Sequence, residues 1–169
     1  VYSLNAMFQM AVLLLIYMWM CRPKNDTLLF VAAFAFGLGL TNHQTLLFLG
    51  LALVVAVLLK DANQFRDFAV AGVLLGVVLV FSAKGYSLIA TEAQKAAPGF
   101  DANLWKWSAG PDTQAFWVYN VLFLAIPLAL AFVLPHGRTV CVTILLAELG
   151  VAFYMYLPIA SEQNPPMNW

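Results

Sequence analysis

His43 is the residue whose surroundings point most directly to chemistry. It lies in the polar run Thr41-Asn42-His43-Gln44-Thr45, between two apolar stretches. An imidazole at membrane depth is rare and usually faces a bundle interior or a wet cavity. There it could hold a phosphate or a sugar hydroxyl. Alternatively, Asn42 and His43 only cap the two ends of a broken helix, and the residue types leave both interpretations open.

A second polar group lies at the start of the chain. Asn5 and Gln9 are four residues apart and share one helix face, which Tyr2 and Ser3 extend. This stripe could line the same cavity as His43. The alternative is hydrogen bonding between helices, which is worth only about 1 kcal/mol per bond in a membrane.

The last residues form a third polar group, which we define as the outer tail 158–169. Gln163, Asn164 and Asn168 supply amides beside the pair Pro165-Pro166. Such a density of polar groups next to an apolar stretch suits contact with a substrate, although a plain extended linker has the same composition.

Glu148 lies in the middle of the last apolar stretch. A carboxylate at that depth is costly unless it is paired or wet. A substrate or proton contact is one interpretation. The favoured one is a structural hydrogen bond to a neighbouring helix, at Asn120 or Gln9.

The composition defines the class of protein that must position these residues. Of 169 residues, 63% are hydrophobic and 9% are charged, against about 25% charged residues in a soluble domain. This excludes a soluble enzyme and indicates an integral, multi-pass membrane protein. Eight basic residues balance eight acidic ones, so no nucleic-acid partner is expected. No zinc-ligand spacing or phosphate-binding loop occurs, and we expect no cofactor and no metal.

Six apolar stretches predict an all-α helix bundle that forms a single transmembrane domain over residues 1–169. The stretches cover 6–20, 28–40, 46–59, 68–83, 116–134 and 140–157. A long polar segment, 84–114, is expected to be an outer loop. Gly37, Gly39 and the pair Gly72/Gly76 are expected to let helix backbones pack closely.

Two of the stretches are too short to cross a bilayer. At 1.5 Å per residue, 28–40 and 46–59 each extend about 20 Å, less than the roughly 30 Å hydrocarbon core. They predict a re-entrant-like hairpin whose tip, 41–45, ends below the surface. Backbone can turn at that depth only inside protein or beside a wet cavity, so the hairpin predicts a cavity.

The basic residues predict the orientation. Arg22, Lys24, Lys60, Arg66 and Arg138 fall in short loops on one side, and Lys84, Lys95 and Lys106 on the other. The excess of positive charge marks the cytoplasmic side. The start of the chain, the hairpin tip, the loop 84–114 and the tail 158–169 then face outward, from a bacterial inner membrane or an endoplasmic reticulum membrane.

Three segments resemble one family. They are Tyr2-Ser3-Leu4-Asn5-Ala6, then Gly37-Leu38-Gly39-Leu40-Thr41-Asn42-His43, and finally Tyr156-Leu157-Pro158-Ile159 with Asn164-Pro165-Pro166-Met167-Asn168-Trp169. Their order and spacing are similar to those of the DUF2723 family, the TMEM260-like protein O-mannosyltransferases of the GT-C glycosyltransferase superfamily.

The resemblance implies an enzyme that moves a mannose-like sugar from a polyprenyl- or dolichyl-phosphate donor to a protein or glycan acceptor. It implies substrate contacts from Asn42, His43, Tyr2, Asn5, Gln163, Asn164 and Asn168. It also implies a catalytic carboxylate in a first outer loop before Val1, so that the chain is expected to be an interior fragment with no catalytic base of its own. Ala160 stands where family members often carry an arginine suited to the donor phosphate.

Two other classes share the membrane composition. Broken helices and buried polar groups also mark transporters, for which an inverted internal repeat would be expected. A non-catalytic membrane scaffold is the remaining alternative.

Overall fold

The computed structural model describes residues 2–22, 25–42, 46–85, 90–99, 101, 105–107, 110 and 112–163; for 2, 42, 93 and 154–163 only the backbone is considered. The helices are α1 (Tyr2–Cys21), α2 (Thr27–Asn42), α3 (Leu47–Lys60), α4 (Ala62–Lys84), the short α5 (Glu92–Lys95), α6 (Gln114–Val133) and α7 (Gly137–Gln163). The described residues contain no strand. The predicted all-α membrane bundle is confirmed.

Among the described residues, three helices have the length and apolarity needed to cross a membrane: Ser3–Cys21 within α1, Ala62–Lys84 and Gln114–Val133. The predicted short pair is also present. Helices α2 and α3 have 16 and 14 residues, or about 24 and 21 Å. Both therefore fall short of a full crossing.

Helix α7 is longer than the sequence predicted. Its apolar stretch ends at Leu157, but the helix continues through Pro158 to Gln163, so the first six residues of the predicted tail are helical. An apolar run indicates which part of a helix suits lipid. The helix itself ends where its backbone loses its hydrogen-bond acceptors or changes direction, so the two ends need not coincide. Ser161, Glu162 and Gln163 are compatible with a helix that leaves the apolar layer.

Long-range contacts define two ends of the bundle. At one end, Lys60 Nζ donates to the carbonyl oxygens of Trp19 (2.8 Å) and Arg22 (3.2 Å), which joins the ends of α1 and α3. We call this the basic end; it comprises the described residues 21–22, 25–27, 60–67 and 134–139. At the opposite end, Tyr119 Oη donates to Phe81 O (3.2 Å). We call this the tip end; it comprises the first turns of α1, the last turn of α2, Leu46 and the described residues of the segment 85–113.

The basic residues are distributed as the sequence predicted. The described members of the larger group, Arg22, Lys60, Arg66 and Arg138, lie at the basic end, and Lys84 lies at the tip end. Lys24 is outside the described residues. Which end faces the cytoplasm stays a prediction.

Asp26 ties three helices together at the basic end. Its Oδ1 accepts from Trp19 Nε1 of α1 (3.3 Å), and its Oδ2 accepts from Thr139 Oγ1 of α7 (2.9 Å). Lys60 Nζ lies 3.6 Å from the centroid of the Trp19 ring. Trp19 is fully buried and heads an apolar cluster that includes Val12 of α1, Ala32 of α2 and Val57 of α3. Helices α1, α2 and α3 therefore form one packed unit.

Asp67 joins α4 to the start of α7. The residue is 0% exposed, and its Oδ2 accepts from the backbone N–H of His136 (3.0 Å). The Nδ1 atom of His136 lies 3.1 Å from the same oxygen, and Arg66 Nη2 pairs with Oδ1 at 3.0 Å. One buried carboxylate thus fixes the corner between α6 and α7.

We expect Asp67→Ala to lower the free energy of unfolding by about 1–3 kcal/mol, because the His136 N–H loses its acceptor. Thermal unfolding in detergent micelles measures the change. Glu92→Ala is the matched control, since Glu92 pairs with Lys95 on an exposed surface and such pairs contribute little. Equal melting temperatures for the two variants would contradict a structural role for Asp67.

The predicted packing role of Gly72 and Gly76 is wrong within the described structure. A Cβ built on either glycine meets no described atom within 4 Å. The two glycines lie on a face of α4 that no described helix covers. The close helix contacts occur at Gly37, Gly39 and Gly150 instead, which meet helix neighbours at short range.

Candidate functional site at the tip end

Asn5 lies on the core face of α1. With Val12, Ile16 and Trp19 it follows the spacing of a single helix face, and all four residues are buried. Asn5 itself is 8% exposed. Its amide therefore extends the apolar core face to the tip end and does not point into lipid.

Leu46 anchors the hairpin tip. It is 0% exposed, and a Cβ on Gly39 would lie 2.5 Å from Leu46 Cδ2 and 3.1 Å from Phe8 Cβ. A larger residue than glycine here would push the Leu46 and Phe8 side chains away from α2. The last turns of α2, the first turn of α3 and the second turn of α1 consequently meet at one point.

This contact brings two predicted site elements to the same place. Asn42 ends α2 one turn beyond Gly39, and Asn5 lies one turn before Phe8. Residues 43–45, including His43, are outside the described residues, but both residues that flank them, Asn42 and Leu46, lie at the tip end.

Helices α2 and α7 run in the same direction in close contact. A Cβ on Gly150 would lie 2.6 Å from Phe34 O and 2.7 Å from Leu38 N, and one on Gly37 would overlap Ala147 O. The rings of Phe34 and Phe153 meet edge to face, with centroids 6.1 Å apart. The α2–α7 pair is therefore the tightest backbone contact at the tip half of the bundle.

The parallel packing sets how far α7 reaches past α2. Gly37 lies beside Ala147 and Gly150, so the end of α2 at Asn42 is level with α7 near residues 152–155. Gln163 lies at least eight residues further, or about 12 Å along the helix axis. The structure therefore does not place Gln163 beside Asn42; α7 projects beyond the hairpin tip.

The seven predicted substrate-binding residues are described to different extents. Asn5 is described with its side chain, and Tyr2, Asn42 and Gln163 by their backbone. His43, Asn164 and Asn168 lie outside the described residues. The structure brings together the α1 start and the α2 end; the substrate contacts themselves stay predictions.

Glu148 does not make the hydrogen bond that the sequence favoured. It is half-buried in α7, and among the described residues neither Asn120 nor Gln9 bonds to it. Asn120 Nδ2 donates instead to Phe116 O within its own helix (2.7 Å). Glu148 therefore stays a candidate for a wet or substrate-facing carboxylate.

Tyr119 holds part of the 84–114 segment against the bundle. Its hydroxyl oxygen lies 2.8 Å from Trp105 O and 3.2 Å from Phe81 O, and its single proton is shared between these two carbonyl acceptors. The Trp107 ring stacks on Phe116 with centroids 5.5 Å apart. Sequence reasoning did not predict this contact. A tyrosine near a span boundary, with both an apolar ring and a hydroxyl, is the signal that could have indicated it.

Comparison with known proteins gives one finding, and it concerns the N-terminal helices. Residues 1–66 match the family model described as "Protein O-mannosyl-transferase TMEM260 N-terminal domain". The match covers α1, α2, α3 and the first residues of α4, or 66 of the 169 residues. Neither the curated proteins nor the solved structures contain a match. The class defined by fold and match is a helical membrane protein with an N-terminal segment similar to that of a protein O-mannosyltransferase.

Proposed function

We propose that this chain is part of an integral-membrane glycosyltransferase. It transfers a mannose-like sugar from a polyprenyl- or dolichyl-phosphate donor to a protein or glycan acceptor on the outer face of the membrane. The observation that carries the proposal is the family match over residues 1–66, because those residues form the three helices that meet at the tip end.

The short hairpin supports a donor site below the membrane surface. Helix α2 begins and helix α3 ends at the basic end, and they extend only about 24 and 21 Å. Their junction therefore lies inside a hydrocarbon layer of about 30 Å. A lipid-linked phosphate enters from the side, at the depth of the headgroups. A polar junction slightly below that depth suits the sugar–phosphate bond.

The residues of the tip end have distinct proposed roles. Asn42 and His43 donate hydrogen bonds to the phosphate, which carries the growing negative charge as the sugar leaves. Tyr2 and Asn5 line the same site from α1. Gln163, Asn164 and Asn168, on the part of α7 and the tail that projects beyond the tip, contact the acceptor. Sugar transfer also needs a group that deprotonates or orients the acceptor hydroxyl, and we assign no residue of this chain to that role.

Sugar transfer by the whole purified protein tests the proposal. The protein is placed in nanodiscs with a radiolabelled mannosyl-phosphoryl-polyprenol and a mixture of acceptor polypeptides. We expect label to move from the lipid fraction to the polypeptide fraction. Label that remains on the lipid, or crosses a proteoliposome membrane still attached to it, would contradict a transferase and favour the transporter alternative.

A further inference from the structure

An open apolar groove runs between α1 and α3 on the outside of the bundle. Its volume is about 560 Å³, and it is lined by Leu13, Tyr17 and Met20 of α1 and by Leu51, Val55 and Leu59 of α3, among others. Except for the Tyr17 hydroxyl, every lining side chain is apolar. The groove is therefore suited to contact with a hydrocarbon chain.

The length of the groove fits one leaflet of a bilayer. Along α3 it extends from Phe48 to Leu59, about 17 Å at 1.5 Å per residue. Half of a hydrocarbon core is about 15 Å. The groove starts at the basic end and runs to Phe48 in the first turn of α3. Its length matches a single acyl chain and is too short for a spanning helix.

Two cations stand at the basic end of the groove. Arg22 follows α1 one residue after Cys21 and is exposed, and Lys60 follows Leu59 at the end of α3. The Lys60 ammonium donates to Trp19 O and Arg22 O and lies over the Trp19 ring, so it contributes positive charge to this end of the groove. The groove thus ends at a cationic mouth.

The acidic residues at this end offset only part of the positive charge. Asp26 accepts from Trp19 and Thr139, and Asp61 accepts from two backbone N–H groups at the start of α4. Asp67 is fully buried in its contacts with Arg66 and His136. Among the described residues, the basic end holds four basic residues (Arg22, Lys60, Arg66 and Arg138) and three acidic ones. Such a face attracts anionic lipid headgroups.

We propose that the α1–α3 groove binds one acyl chain of an anionic glycerophospholipid, with the headgroup phosphate at Arg22 and Lys60. The proposal rests on the groove and its charged mouth and does not depend on the proposed function. It also differs from the donor site, because the polar mouth lies at the basic end and the donor's sugar–phosphate is assigned to the tip end.

Photolabelling of the whole protein in phosphatidylcholine nanodiscs tests this site. The probe is phosphatidylglycerol with a diazirine in the acyl chain. We expect adducts on residues 13–20 and 48–59. Ala52→Phe fills the groove and is expected to lower the labelling about tenfold, which corresponds to about 1.4 kcal/mol. Val73→Phe, at a position on α4 that is 66% exposed and outside the groove, is the matched control with unchanged labelling.

The headgroup is tested separately with Arg22→Gln. One basic residue near an anionic surface contributes about 1 kcal/mol, so the preference for the phosphatidylglycerol probe over a phosphatidylcholine probe should fall about fivefold. Equal labelling of the wild type by both probes, full labelling of Ala52→Phe, or a cross-link from the groove to another protein segment would each overturn the proposal. Failure of sugar transfer would leave these labelling results unaffected.

Discussion

Replacing His43 with alanine is expected to slow sugar transfer by about 10²–10³-fold, the effect of removing one preorganised donor from a developing anion. His43 belongs to the three-residue junction between Asn42, which ends α2, and the buried Leu46. Both neighbours are held by helix packing, so the substitution removes a side chain without removing an anchor. The transfer rate under saturating donor measures the effect, with circular dichroism to show that the helices persist.

Thr41→Val is the matched control for His43→Ala. Thr41 Oγ1 donates to Leu38 O within α2, so its hydroxyl is already used locally, and valine has nearly the same shape. We expect wild-type transfer from this variant. A folded His43→Ala protein that transfers sugar at the wild-type rate would remove His43 from the site.

The largest expected loss of stability comes from Gly150→Leu. Even the Cβ of an alanine at this position would lie 2.6 and 2.7 Å from backbone atoms of α2, Phe34 O and Leu38 N. Backbone cannot move aside as a flexible side chain can, so α2 and α7 must separate. Overpacking of this kind costs about 1–3 kcal/mol. We expect that range for Gly150→Ala and a greater loss for Gly150→Leu, measured by thermal unfolding.

Gly72→Ala and Gly72→Leu are the matched controls for Gly150. A Cβ on Gly72 meets no described atom within 4 Å, and alanine is the better helix former. We expect the two Gly72 variants to unfold at or above the wild-type temperature. If both glycines tolerated leucine equally, the close α2–α7 contact would be contradicted.

The sequence was sufficient to predict the parts of the fold that depend on local apolarity. The low charge content and the six apolar stretches predicted an all-α bundle, and the lengths of 28–40 and 46–59 predicted the short pair α2 and α3. The grouping of basic residues predicted which loops share an end. Each of these inferences depends on the length of an apolar run or on its flanking charges, which are properties of neighbouring residues.

Contacts between distant residues could not be predicted in the same way. A pair of glycines at the right spacing does not reveal whether another helix covers it, so Gly72 and Gly76 were wrongly assigned to packing and Gly150 was missed. The bond from Asp67 to His136 joins residues 69 positions apart. The continuation of α7 to Gln163 was missed because polar residues end an apolar run without ending a helix.

The sequence predicted part of the arrangement at the tip end, and the substrate contacts there stay predictions. The sequence grouped the α1 start with the hairpin tip, and the structure brings Asn5 and the end of α2 to the same end of the bundle. Sequence spacing gave no information on the reach of α7, which carries Gln163 about 12 Å beyond the level of Asn42. For this reason the α7 end suits the acceptor better than the donor phosphate.

Photolabelling with a donor analogue tests the central claim most directly, since the claim is that the sugar–phosphate binds at the tip end. The probe is mannosyl-phosphoryl-polyprenol with a photoreactive group on the sugar, applied to the whole protein in nanodiscs and mapped by peptide mass spectrometry. We predict adducts in residues 2–5 and 42–46 that unlabelled donor competes away. Competed adducts at the basic end, in 21–27 or 60–67, would contradict the account.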